Sequence, residues 1–166
     1  MFDKGQYVVK ANTGVCRVIE IVSYSAEEED EEKLYYNLEL LSDKRGTILV
    51  PVDSRMSSIR PVMSEREASG LLKSIRAIET VFEASDRLRE QGYKDAIKSN
   101  DPLAIAGMIK GLYKRENERL SQGKRVTAVD ERYSHMAESA LFPELALVLG
   151  KEPEEIKRLI IETLDF

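Results

Sequence analysis

The 166-residue sequence predicts an α+β chain, a small β-barrel followed by an all-helical bundle. Three observations carry that expectation. Apolar residues alternate with period two up to about Arg60-Pro61 and recur every three or four positions beyond it. Gly5, Gly14 and the run Asp43-Lys44-Arg45-Gly46 punctuate the first part as turns. Capping residues and helix-opening prolines punctuate the second. The predicted domains are residues 1–61 and 62–166, joined by a short linker.

In the first part, Tyr7-Val8-Val9 is a β-rich run after Gly5. The next run, Val15 to Val22, alternates. Val15, Arg17, Ile19 and Ile21 share one face, and Cys16, Val18, Glu20 and Val22 the other. Leu34 to Leu40 is a third run, and Thr47 to Val52 a fourth. Pro51 cannot donate to a ladder, which places the fourth run at an edge or Pro51 at a strand end. The acidic run Glu27 to Glu32 lies between two strands; like charges repel, so it reads as a solvated loop tip. Short strands with tight turns favour a small barrel or strongly bent sheet.

In the second part, Ser64-Glu65-Arg66-Glu67 has the form of a capping box. Leu71, Ile75, Ile78 and Phe82 follow it on one helical face. A less apolar helix runs from near Ser85 to Lys98. Asp101 caps a third helix, with Pro102 at its first position and Ile105, Ile109, Leu112 and Tyr113 as its apolar face. Thr127 opens a fourth, in which Pro143 is expected to kink or interrupt the helix, with Gly150 at its end. Pro153 opens a last helix bearing Ile156, Leu159, Ile160 and Leu164.

Composition narrows the function classes. An apolar content of 42% and a charged content of 33% fit a soluble globular chain. No apolar run nears the roughly 18 to 20 residues a membrane span needs, and the first residues carry no signal pattern. A single cysteine cannot form an internal disulfide, which points to the cytoplasm. The one cysteine and one histidine make neither a zinc site nor a thiol–imidazole pair. Cys16 reads as small apolar filler within a strand, and His135 as a surface or half-buried helix residue. No glycine-rich phosphate loop is present. The expectation is a non-enzyme without cofactor, metal or small-molecule substrate.

Charge is more informative. The chain carries −5 overall, yet between Arg87 and Arg125 ten basic residues stand against five acidic ones. Lys110 with Lys114, and Arg115 with Arg119, are spaced four apart and share helix surfaces. Such an array suits phosphate contact. It equally suits a solvated face with local ion pairs such as Arg115 with Glu118.

The opening FDKGQYVVKANTGVCRVIEI resembles the start of CarD-family (CarD/CdnL) bacterial transcription regulators. Thr47-Ile48-Leu49-Val50-Pro51 looks like a late strand of that family. The segments LAIAGMIKGLYKRENERLSQGKR and AVDERYSHMAESALFPELALVLG resemble its helices. The resemblance spans nearly the whole chain, in the order and spacing of these segments. It implies a Tudor-like N-terminal barrel that binds the β subunit of RNA polymerase, related to the polymerase-interaction domain of the transcription-repair coupling factor. It also implies a helical domain placed against promoter DNA, stabilising the open complex. Thr47, Ile48, Leu49 and Val50 are the candidate polymerase-binding strand, joined by Tyr24. Arg87, Arg89, Lys114, Arg115, Lys124 and Arg125 are the candidate DNA contacts. The alternative is a protein-interaction module of the same fold that does not engage DNA. Two departures mark this chain. Lys10-Ala11-Asn12-Thr13 replaces the family's usual turn before Gly14. Asp86 stands where bubble-wedging members carry a tryptophan, and this chain has none.

Overall fold

The computed structural model describes residues 1–25, 33–43, 45–53, 58–80 and 85–165. The acidic run 27–32, Lys44 and Phe82 lie outside the described residues. The chain divides into two compact units, Met1–Val62 and Met63–Phe166. The first is a sheet and the second a set of helices, so the class is α+β.

The described residues of the first unit form β1 (Tyr7–Lys10), β2 (Gly14–Tyr24), β3 (Lys33–Leu40), β4 (Thr47–Pro51) and β5 (Ile59–Pro61). All pairings are antiparallel, in the order β4-β3-β2-β1-β5. The β1–β2 turn needs left-handed backbone, and Asn12 (φ 63°) and Gly14 (φ 90°) supply it. Val8, Cys16, Val18, Tyr36, Leu38 and Val50 make the core of this unit. The Tyr36 hydroxyl accepts from the Phe2 amide at 2.9 Å, tying the N-terminal segment to that core.

Strict alternation in β2 is broken by a bulge between Val18 and Glu20. Val18 aligns with Leu38 and Ile21 with Tyr36, so Ile19 is the extra residue. Glu20 therefore leaves the Cys16–Val18 face on which simple alternation placed it. It aligns with Asn37, which donates to it at 3.4 Å. Strand β5, three residues with one apolar side chain, has too little periodicity to be foreseen.

The second unit contains α1 (Glu65–Ser74), α2 (Asp86–Ser99), α3 (Pro102–Ser121), α4 (Ala128–Leu149) and α5 (Pro153–Leu164). The capping box at Ser64 and Glu67 is formed. Asp101 accepts from the Leu103 amide, and Thr127 from that of Asp130. Gly150 ends α4 in the left-handed conformation. The core runs through every helix, with Leu71 and Ile75, Tyr93 and Ile97, Ile105 and Ile109, Leu141 and Leu145, and Ile156 and Ile160 among its members.

Two helical expectations are corrected. Helix α1 stops at Ser74, and Ile78 packs on the core from the turn beyond it. The cause is a close crossing with α3. The Lys110 ammonium donates to the carbonyls of Arg76 and Ile78, the latter at 2.8 Å. A continuing helix would use those carbonyls for its own amides. Pro143 does not interrupt α4, which runs unbroken from Ala128 to Leu149. Leu141, Phe142, Leu145 and Ala146 are buried around it. Burying the Leu141, Phe142 and Leu145 side chains contributes about 1.5–3 kcal/mol each, more in sum than the roughly 3 kcal/mol an interior proline costs.

Candidate functional site

Each unit carries one candidate surface. On the sheet, the ladder assigns the backbone groups of β4 individually. The Leu40 amide donates to the Gly46 carbonyl and the Val52 amide to the Leu34 carbonyl. With the register Val50 to Tyr36 and Ile48 to Leu38, the backbone groups of Ile48 and Val50 turn toward β3. Those of Thr47 and Leu49 turn the other way. Among the described residues β4 pairs with β3 alone, so this outward edge is the sheet's margin. Pro51 lacks its N–H at a position that also faces outward, so the β3 ladder loses nothing there.

Side chains divide in the same rhythm. Val50 is in the core and Ile48 packs against it, whereas Thr47 and Leu49 are exposed. The register lays out rows on the outer face: Arg17, Glu39 and Thr47; Glu20, Asn37 and Leu49; Val22, Tyr35 and Pro51. Arg17 and Glu39 are paired at 2.9 Å, so one end of the face is charged. The other end carries Val22, Tyr35 and Pro51, with Tyr24 opposite Lys33 beyond them. Tyr24, 53% exposed, meets Tyr35 edge-on at 6.0 Å between ring centroids. Tyr35 therefore links Tyr24 with the Pro51–Leu49 end of the edge strand. Sequence reasoning missed Tyr35; its signal was the even spacing from Asn37 and Glu39, which the β3 alternation contains.

On the helices, the basic candidates separate into two groups. Lys114, Lys124 and Arg125 are exposed, as is Arg87 near the start of α2. Lys124 donates to the Gln122 side chain at 2.9 Å, and Arg119 donates through Nε to the Arg125 carbonyl at 2.8 Å, pinning that loop to α3. Arg89 and Arg115 are turned inward, with side chains 12% and 21% exposed. Both meet Asp130 of α4, a buried carboxylate. Arg115 Nε donates to its Oδ2 at 2.7 Å, and Arg89 Nε lies 3.9 Å from its Oδ1. The local pair of Arg115 with Glu118 is thus replaced by a tie between helices. Asp86 takes the outer end of Arg89 at 2.6 Å, and this bond holds its carboxyl below the usual range.

Helix α2 buries only Tyr93 and Ile97. A cavity of about 410 Å³ stands beside it, lined by Tyr93, Ala96, Ala104, Met108, Arg89 and Arg115 among others. Polar ties compensate. Glu90 accepts from the Tyr133 hydroxyl at 3.0 Å and from Arg132 at 3.1 Å, and pairs with Lys94 at 3.3 Å. The Tyr133 hydrogen bond foremost lowers its pKa. Burial, with the Asp130 charge behind it, pushes the Tyr93 phenol up to about 12.

Among the described residues, nothing around Cys16 marks an activated thiol. It is fully buried, burial pushes its pKa up, and its Sγ lies 3.7 Å from the Gly14 carbonyl. Among the described residues no cluster of ligating side chains could hold a metal, and no helix is long and apolar enough to cross a membrane.

The sheet unit thus carries an exposed strand edge, and the helical unit carries exposed cations from α2, α3 and the loop after α3. Residues 2–63 match the CarD-like/TRCF RID domain, and residues 70–161 match the CarD C-terminal domain. The chain belongs to the CarD family, which makes it a transcription-associated protein that interacts with RNA polymerase, with an N-terminal unit of Tudor-like type. No curated protein matches the chain.

Proposed function

We propose that this protein regulates transcription by binding the β subunit of bacterial RNA polymerase through its sheet unit. In this reading its helical unit contacts promoter DNA. The observation that carries the first part is the outward edge of β4, where Thr47 and Leu49 offer backbone donors and acceptors to an added strand. Leu49, Tyr35 and Tyr24 supply side-chain contact beside it, while Ile48 and Val50 anchor the strand from within. Replacing Leu49 with Glu in the full chain places a charge on this apolar flank. Retention of the β subunit in a pull-down should fall about ten-fold, the size of a typical interface anchor. Unchanged retention by the folded variant would remove this surface from the interface.

Arg87, Lys114, Lys124 and Arg125 are the exposed candidates for the DNA contact, while Arg89 and Arg115 are turned toward Asp130. Their effect is to favour the melted promoter state by binding it better than the closed one. Binding of a forked promoter by the polymerase-bound protein should weaken steeply with salt. Alanine at Lys114, Lys124 and Arg125 together should weaken it further. A second reading, a protein-interaction module of the same fold that binds polymerase or another protein without engaging DNA, is favoured by the engagement of Arg89 and Arg115 with Asp130. A flat salt response and no effect of the triple substitution would decide for it.

A further inference from the structure

Two guanidiniums meet beside the start of α2. Arg89 comes from α2 and Arg115 from α3, and both reach Asp130. Asp86, the first residue of α2, bonds Arg89, which holds its carboxyl below the usual range, with the charges of Arg115 and Arg119 adding to the effect. Two carboxylates compensate the cluster, in different ways. Asp130 is buried, with its side chain 4% exposed, and engages the arginines from beneath at Nε. Asp86 is 89% exposed and takes the Nη2 end of Arg89 from the solvent side. Asp130 is therefore a fixed part of the domain. Asp86 is a surface neighbour three residues away on the same helix, and such pairs contribute little to stability.

A carboxylate on the outward end of an arginine presents the same oxygens that a phosphate would, in the same charge-assisted geometry. Asp86 thus occupies the outward end of Arg89, with Arg115 beside it on the shared Asp130. We propose that Asp86 is a tethered stand-in for a nucleic-acid backbone phosphate, and that DNA engages the Arg89–Arg115 pair by displacing it. The proposal rests on the DNA-contacting reading above and adds its regulation. The tethered carboxylate lowers the affinity for any phosphate met at random. DNA held close by another attachment has a high effective concentration and displaces it. The device suppresses wrong partners rather than strengthening the right one.

The test is Asp86→Asn in the full chain, which keeps the side chain's shape and removes its charge. Asp95→Asn, the same change of charge elsewhere on α2, is the control. A labelled promoter duplex is titrated with each protein at several salt concentrations, and the Arg89 Nε–Hε resonance is followed by NMR. Asp86→Asn should bind about three- to five-fold tighter than the parent, the range of one released exposed ion pair. Its salt slope should be steeper by about one phosphate contact. The Asp95 control should gain less, and adding Arg89→Gln should cancel the gain. Equal gains for the two Asn variants, or no gain for a folded Asp86→Asn, would overturn the proposal. If no variant binds the free duplex, the DNA-contacting reading stands or falls with the forked-promoter titration of the polymerase-bound protein given above. Pyrophosphate then judges the cluster: a shift of the Arg89 resonance at lower pyrophosphate in Asp86→Asn supports the tethered anion, and identical titrations refute it.

Discussion

Two glycines of α3, one turn apart, should respond oppositely to the same substitution. A Cβ on Gly107 would lie 2.7 Å from the Glu79 carbonyl oxygen and 3.3 Å from Ile78 Cγ2. A Cβ on Gly111 would lie 3.7 Å from Thr80 Cβ, an ordinary contact. Alanine gains about 1 kcal/mol over glycine in a helix interior, so Gly111→Ala should stabilise the helical unit by up to about 1 kcal/mol. At Gly107 the obstacle is backbone, not the flexible end of a side chain. The crossing segment has little room to retreat, because Lys110 holds the carbonyls of Arg76 and Ile78. Overpacking of this kind costs about 1–3 kcal/mol. After the helical gain, Gly107→Ala should come out destabilised by roughly 0–2 kcal/mol. The two variants should thus differ by about 1–3 kcal/mol. Urea unfolding followed by circular dichroism measures both, with amide exchange of residues 75–80 reporting the local shift. A Gly107→Ala protein as stable as Gly111→Ala would refute the close crossing and, with it, the account of why α1 stops at Ser74.

Asp130→Ala should leave two inward-turned arginines without their shared carboxylate. Breaking a fully buried pair costs about 3–5 kcal/mol, and the partial exposure of Arg89 and Arg115 reduces this to about 2–3 kcal/mol, measurable by urea unfolding. Glu90 has a folded-state pKa below its unfolded value, so its contribution is complete above the ordinary carboxylate range and disappears as pH falls through the depressed value. Glu90→Gln should therefore flatten part of the acid loss of protection in α2 amides, and an unchanged acid profile would count against the Glu90–Tyr133 tie. At the alkaline end, Tyr93 contributes stability that is complete below its unfolded pKa near 10 and lost as pH rises toward about 12. Its phenolate absorbance should rise later than that of exposed tyrosines and together with loss of helix.

Much of the local structure was legible because its causes are local. A serine three residues before a glutamate can satisfy two orphan amides by itself, and the box at Ser64 and Glu67 forms for that reason. Gly14 and Gly150 take positive φ, where a Cβ would be strained. Cys16 is core filler, as its place in an apolar strand indicated. The candidate surfaces were legible only as composition. The basic excess between Arg87 and Arg125 is written in the chain, but which cations face outward depends on what lies opposite them. Arg115 has Glu118 nearby in sequence, yet pairs with Asp130 because α4 packs across α3.

By itself, then, the amino-acid sequence determined the class of fold, the strand and helix caps, the positive-φ turns and the resemblance that places the chain in the CarD family. Each of these is settled by neighbours within a few residues or by a pattern running along the chain. Only the tertiary structure decided that β4 is a margin of the sheet with Thr47 and Leu49 facing outward, and that Ile19 bulges. It alone decided that α1 stops against α3, and that Asp130 draws Arg89 and Arg115 inward while the other cations stay exposed. Those outcomes depend on groups far apart in the chain, whose hydrogen bonds and charges are satisfied only when distant segments meet.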